Sequence, residues 1–335
     1  MMRCSPLRAH APQLLALSSR RAALSSSATQ PDVVVLGASV MDLMAYVPTM
    51  PSPGATVLGT GFEMDFGGKG ANQAVMAGKL GCNVAMITKI NGGDAFGREM
   101  VGNFEDNGVS AAHVLNTDKA ATGAAAIVID DSGQNQIAVV MGANNELTEA
   151  DMEASRAAIA GAQMLVCQLE VPLPVTMAAM RIARDEGTTV FLNTAPACEL
   201  PAEAFKLADI ICPNETEATM LTGLPVETVD EAKAAGAKLL QMGVKNVILT
   251  LGERGALLVN GETDGTLVEA SSVKAVNTVG AGDSFVGAFS HFHTRGGLSM
   301  LECMQRACTV ATLSVQKVGT QASYPALGDL PADCR

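Results

Sequence analysis

Tryptophan is missing from the 335-residue chain, and tyrosine occurs only twice. With so few aromatic rings there is no stacking platform for single-stranded nucleic acid. A net charge of −12 likewise argues against a basic groove for a phosphate backbone. Charged residues are also sparse, at 17% against 48% hydrophobic, a balance that excludes a disordered chain and indicates a well-buried globular protein. No apolar run reaches the ~18 residues of a membrane span, so a soluble protein is expected. The eight cysteines contain no C-x-x-C pair, which removes the zinc and disulfide signatures. Cys167 and Cys212 lie in apolar strand-like runs and read as buried reduced thiols of an intracellular protein. His291 and His293 share a probable helix but point to different faces, a poor metal pair. The P-loop sequence G-x-x-x-x-G-K-[ST] and the dinucleotide fingerprint G-x-G-x-x-G after a strand are both missing.

What is present falls into three parts. Residues 1–31 carry four arginines, six serines and no acid, the composition of an organellar presequence, leaning to mitochondrion over plastid; the alternative is a tail on a cytoplasmic or nuclear protein. From Val33 onward, buried strands alternate with amphipathic helices. Strands are predicted at 33–36, 84–88, 164–169, 188–192, 210–212 and 246–251. Helices are predicted at 71–80, 97–107, 175–186, 230–242 and 283–293, with further ones from Thr216 and from Ser299. This order predicts an α/β fold, a doubly wound, mostly parallel sheet covered on both faces. Two segments break the rhythm, at about 43–66 and 120–141. The second reads as a hairpin around DDSGQN, and both could pair into a small sheet over the carboxyl edge, where ligands of open α/β folds bind. The expected organisation is thus a presequence and one domain over 32–331 with a β lid inserted.

The sequence VKAVNTVGAGDSFVGA at 273–288 reads as a short strand, a glycine turn and a helix with Asp283 in its first turn. Backbone N–H groups at a helix start are unsatisfied donors in a positive potential. Asp283 is therefore either an ordinary helix-start acid or a base beside an anion hole. FGGKGANQ at 66–73 allows close backbone approach to a ligand and supplies donors from Lys69 and Asn72. Glu215 and Glu217 in PNETE at 213–217 either complement a helix dipole or hold Mg²⁺ through water. TLGERG at 250–255 is a tight turn that could line a nucleotide, and Glu170 sits at the probable ligand edge.

In this order and spacing the motifs GASVMD (37–42), FGGKGANQ, CQLE (167–170), PNETE, TLGERG, TVGAGDSF (278–285) and GTQASYP (319–325) resemble the ribokinase, or PfkB-type, family of sugar kinases, from about Val33 to about Pro331. The resemblance implies ATP-dependent phosphorylation of D-ribose at O5. Asp283 would be the base, and the amides of Gly280, Ala281 and Gly282 the anion hole. The sugar would meet Val40, Met41, Asp42, Gly68, Lys69, Gly70, Ala71, Asn72 and Glu170. ATP would meet Asn214, Thr250, Leu251, Gly252, Glu253, Arg254, Gly255, Gly282, Asp283 and Cys308. Glu217 would act on Mg²⁺ through water. A monovalent cation, K⁺, would lie among Asn277, Val279, Ser314, Lys317, Gly319 and Ser323, bound more weakly than usual because Asn277 replaces an aspartate. Cys308 stands where asparagine or histidine is more usual. A homodimer through the lid is implied too. Alternatives are 2-deoxyribose, fructose or a nucleoside as substrate, or a catalytically silent sugar-binding regulator.

Overall fold

A computed structural model describes residues 30–335; the presequence predicted over 1–31 lies almost wholly outside the described residues. The first strand, β1 (Val33–Leu36), is buried along its whole length. Val33 and Val35 enter one hydrophobic core and Val34 and Leu36 another, so this strand is central and covered on both faces.

After it come β2 (Val40–Val47), β3 (Gly61–Gly67), α1 (Lys69–Lys79), β4 (Val84–Ile90), α2 (Ala95–Asp106), β5 (Val109–Ser110), β6 (Val114–Asn116), β7 (Gly123–Asp130) and β8 (Asn135–Val140). Next are α3 (Glu149–Ala154), α4 (Arg156–Gly161), β9 (Met164–Cys167), α5 (Leu173–Glu186), β10 (Thr189–Asn193), α6 (Ala202–Leu207), β11 (Ile210–Cys212), α7 (Glu215–Thr222) and α8 (Val229–Gln241). The chain continues with β12 (Asn246–Thr250), β13 (Ala256–Asn260), β14 (Thr263–Val268), α9 (Ala281–Arg295) and α10 (Met300–Ser314).

The main sheet runs β14-β13-β12-β11-β10-β9-β1-β4-β5, with β6 also on β4. It is parallel from β12 to β5 and antiparallel at the β13–β14 edge. Helices α1, α2, α9 and α10 pack on one face and α3 to α8 on the other: the doubly wound α/β fold. Helix starts follow local chemistry. Thr228 with Glu231, and Ser299 with Glu302, form reciprocal capping boxes that satisfy donors the helix leaves open.

The two segments outside the β/α rhythm pair into one four-stranded sheet, β3-β2-β7-β8. Cross-strand partners share a face, so Asp42, Asp65, Ala125 and Val139 lie on one side of it.

The strand expected at the start of 273–288 is not formed. Residues 269–277 have no regular structure, and Val276 and Val279 are 58% and 63% exposed. The apolar run that suggested a buried strand lies on the surface. Strand β9 also ends at Cys167, so Glu170 stands three residues beyond it, in a loop.

Candidate active site

Helices α1 and α9 start at the same place, and their first turns face each other. Gly280 adopts φ 77°, a left-handed conformation that glycine takes without strain. Asp283, one turn on, is 7% exposed. Its Oδ2 accepts from Asn72 Nδ2 at 3.0 Å and its Oδ1 from Gln73 Nε2 at 2.9 Å. Asp283 lines a cleft of about 190 Å³ together with Lys69, Asn214, Glu217, Thr250, Gly280 and Gly282. The expected trio of anion-hole amides is reduced by one. Ala281 N–H donates to the Thr278 carbonyl at 3.2 Å and is spent within the turn, whereas Gly280 and Gly282 line the cleft.

Charge is concentrated here. Burial opposes the Lys69 ammonium, but Asp283, Glu170 and Glu217 outweigh it and hold its pKa above the ordinary lysine value. Lys69 forms no ion pair within 4.0 Å among the described residues, so its cation remains available. Glu170 accepts from the Lys69 backbone N–H at 2.7 Å; burial raises its pKa, with Asp283 adding to the effect, against the pull of that bond and of the Lys69 charge. Asp42 is pushed up to about 7, by burial first and then by the charges of Asp65 and Glu170. Gly67 is close by: a Cβ there would lie 2.4 Å from Asp42 Oδ2. Gly68 and Gly70 keep the backbone tight, a Cβ on Gly70 meeting the Gly37 Cα at 2.6 Å. Val40, Met41 and Ala71 are buried, so what they offer a ligand is backbone. Asn72 spends its amide on Asp283 and, through Oδ1, on Gln321 at 2.9 Å; one amide proton is left for the sugar-facing role expected of it.

On the other side, Asn214 and Thr250 are bridged at the carboxyl edge of the sheet and both line the cleft. Glu217 closes a capping box with Asn214 and also accepts from Thr194 Oγ1 at 3.0 Å. Burial raises its pKa and Asp283 adds to this; the Asn214 and Thr194 bonds and the Lys69 charge oppose it. In the 250–255 turn Leu251 is buried, and Arg254 is held by Glu215 at 3.2 Å and by the Glu227 carbonyl at 2.6 Å. Gly252, Glu253 and Gly255 complete that turn. Cys308 departs from expectation. It is buried in the core and is not part of the cleft lining, with its thiol pushed up to about 12 by burial. The segments that carry the expected cation ligands touch at two points. Asn277 N–H donates to the Val315 carbonyl at 3.1 Å, beside Ser314 and Lys317. A Cβ on Gly280 would meet the Thr320 side chain at 2.5 Å, between Gly319 and Ser323. Asn277 Oδ1 itself accepts from Val279 N–H at 2.9 Å.

A carboxylate oriented by two amides, open helix-start amides and a free, half-buried cation together suit transfer of an anionic group to a hydroxyl. Residues 30–327 match the family described as pfkB family carbohydrate kinase. The chain belongs to that family. Among relatives of this kinase, a ribokinase of Mus musculus is 39% identical over 302 residues, covering 89% of this chain and 93% of the mouse protein. A deoxyribokinase of Salmonella typhi is 38% identical over 297 residues, covering 88% and 96%. The solved structure of Arabidopsis thaliana ribokinase complexed with ribose and ATP superposes with a TM-score of 0.83 at 30% identity, covering 89% of the kinase and 96% of that chain.

Several side chains of the site were not singled out from sequence. Gln73 stood unassigned inside FGGKGANQ, although its place beside Asn72 in a helix start was visible. Gln168 and Gln321 sit in the CQLE and GTQASYP segments, again without a role. Asn193, which lines the cleft, and Asp65, beside Asp42, carried no local signal at all. Only the pairing of distant strands brings them in.

Proposed function

We propose that this kinase transfers the γ-phosphoryl group of Mg-ATP to O5 of D-ribose, giving D-ribose 5-phosphate. The observation carrying the proposal is Asp283, held by Asn72 and Gln73 in a cleft that also presents Gly280, Gly282 and the free cation of Lys69. Asp283 takes the proton of the primary hydroxyl as O5 bonds to phosphorus. The two glycine amides and Lys69 face the charge spread over the transferring oxygens. ATP as donor is supported by the Arabidopsis complex and by the Asn214–Thr250 edge, which offers backbone groups to a nucleotide.

Ribose, with one hydroxyl more than 2-deoxyribose, suits a sugar side that holds the carboxylates of Asp42, Asp65 and Glu170 within electrostatic reach of one another; their oxygens not already bonded to backbone N–H groups can accept from sugar hydroxyls. A panel of pentoses, hexoses and nucleosides with Mg-ATP tests this. Ribose should give the highest kcat/KM, and equal or better turnover of 2-deoxyribose would transfer the assignment. Asp283→Asn should cut turnover about 10²- to 10⁴-fold, the range for a lost general base, while sugar affinity stays within a few-fold; parallel loss of both would remove the base role.

Mg²⁺ fits as a visitor brought by the nucleotide. Among the described residues no three potential ligands cluster to hold a metal, and both Glu217 oxygens already accept hydrogen bonds. Glu217 therefore suits contact through metal-bound water, and the ion would neutralise phosphate charge. The carbonyl and hydroxyl oxygens around 277–279 and 314–323 suit K⁺, without the charge an aspartate would add at Asn277. The lid also fits a homodimer. Ile137 and Val139 share the Asp42 face of the small sheet yet are 55% and 52% exposed; a second copy would cover them. The acid-free, arginine-bearing segment 1–31 fits import into an organelle, and localisation of a fluorescent fusion with and without it is the test.

A further inference from the structure

Gln73 and Gln168 are both fully buried, polar and next to the reacting centre. The direction of their amides is forced. A carboxylate oxygen can only accept, and Asn193 turns its Oδ1 to Gln73 because its Nδ2 donates to the Cys212 carbonyl at 2.8 Å. Gln73 therefore presents its NH₂ to Asp283 Oδ1 at 2.9 Å and to Asn193 Oδ1 at 3.1 Å. Its carbonyl faces Gln168, which must donate from Nε2, at 2.6 Å. The other end of Gln168 is left with nothing: Oε1 is buried and has no hydrogen-bond partner among the described residues. A buried acceptor without a donor destabilises a fold, and such a group in a native structure calls for a reason. Room is also made for it, since a Cβ on Gly37 would lie 2.0 Å from that oxygen.

We propose that Gln73, locked by Gln168 and Asn193, is a positioning residue for phosphoryl transfer that fixes the rotation of the Asp283 carboxylate. This rests on Asp283 being the base. When the O5–phosphorus bond forms, the bond from phosphorus to the bridging oxygen breaks with its electron pair going to ADP, and the O5 proton passes to Asp283. Each carboxylate oxygen has one lone pair tied by an amide, from Asn72 or Gln73, so the plane and the remaining lone pairs are set before the sugar arrives. Gln168 keeps Gln73 from turning its carbonyl toward Asp283. The unsatisfied Oε1 is the cost of that lock.

The test uses the full-length enzyme with Mg-ATP and ribose. Gln73→Met keeps the length and removes both donors; kcat should fall about 10- to 100-fold, the range for a misplaced reacting group, with KM and directly measured sugar affinity within about threefold. Gln168→Met leaves Gln73 in place but unlocked, and kcat should fall about three- to tenfold on the same grounds. It also carries the test should Gln73→Met not fold. In an Asp283→Asn background, Gln73→Met should cost nothing further, because the group it positions is gone. Turnover within twofold of the parent in both variants, sugar affinity lost in step with kcat, or a full additional loss in the Asp283→Asn background would each overturn the proposal. Normal turnover by Asp283→Asn alone would instead overturn the base reading beneath it.

Discussion

Asp42 should make this kinase less stable as pH rises from about 4 to about 7. Its carboxyl is moved from an ordinary value of 3.8 to about 7, first by burial and then by Asp65 and Glu170. The folded protein therefore holds a proton between about pH 4 and 7 that the unfolded chain has released, and stability falls across that interval and levels off above it. Each tenfold change in acid strength is worth about 1.4 kcal/mol, which sets a ceiling of about 4 kcal/mol. Asp42 is half-buried, and water there reduces the effect to about 1–3 kcal/mol. Asp42→Asn removes the titration at nearly constant shape. Urea unfolding at pH 4, 5, 6, 7 and 8 should find parent and variant close at pH 4, with the variant ahead by about that amount at pH 8. The ionised carboxylate is also the better acceptor for sugar hydroxyls, so the parent's kcat/KM for ribose should drop below about pH 7, and this limb should vanish in the variant. Stability curves that run parallel over the whole range would refute the reasoning.

Asn277→Asp should restore a negative charge beside the proposed cation site and lower the KCl concentration for half-maximal activation several-fold; an unchanged KCl titration would remove the site from that turn. The double substitution Ile137→Lys with Val139→Lys should shift the protein to monomer in sedimentation velocity and raise the sugar KM; dimers of unchanged affinity would show that the lid is not the interface. Gly70→Ala drives a Cβ to 2.6 Å from the Gly37 Cα and 2.9 Å from Met86 Cε, so α1 must move away from β1. The overpacking should cost about 1–3 kcal/mol in urea unfolding, with a drop in kcat; a variant as stable and active as the parent would show that the contact is loose.

Much of this was legible locally. The unbroken apolar run at Val33–Leu36 reads as a strand covered on both faces, and the glycines after α5 and α7 end helices because left-handed caps favour them. The glycine turn before Asp283 predicts both a helix start and an anion site, since open amides belong to any such start. Hydrophobicity misled at Val273, Val276 and Val279, where an apolar run lies on the surface, because composition says nothing about which neighbours will cover it. It also could not say that Ala281 would spend its amide inside its own turn, or that Cys308 would be sealed in the core.

By itself the sequence determined six strands of the main sheet and seven of the helices, the two lid segments, and which turns could face an anion, all properties of residues near one another in the chain. Only the tertiary structure decided that Gln73, Gln168, Asn193 and Asp283 form one hydrogen-bonded chain, and that burial, with the charges of Asp65 and Glu170 added, pushes Asp42 up to about 7. The direction of a hydrogen bond and the energy of a buried charge depend on partners tens or hundreds of residues away. Those partners meet only when β1, β9 and β10 are laid side by side and the lid is folded over their ends.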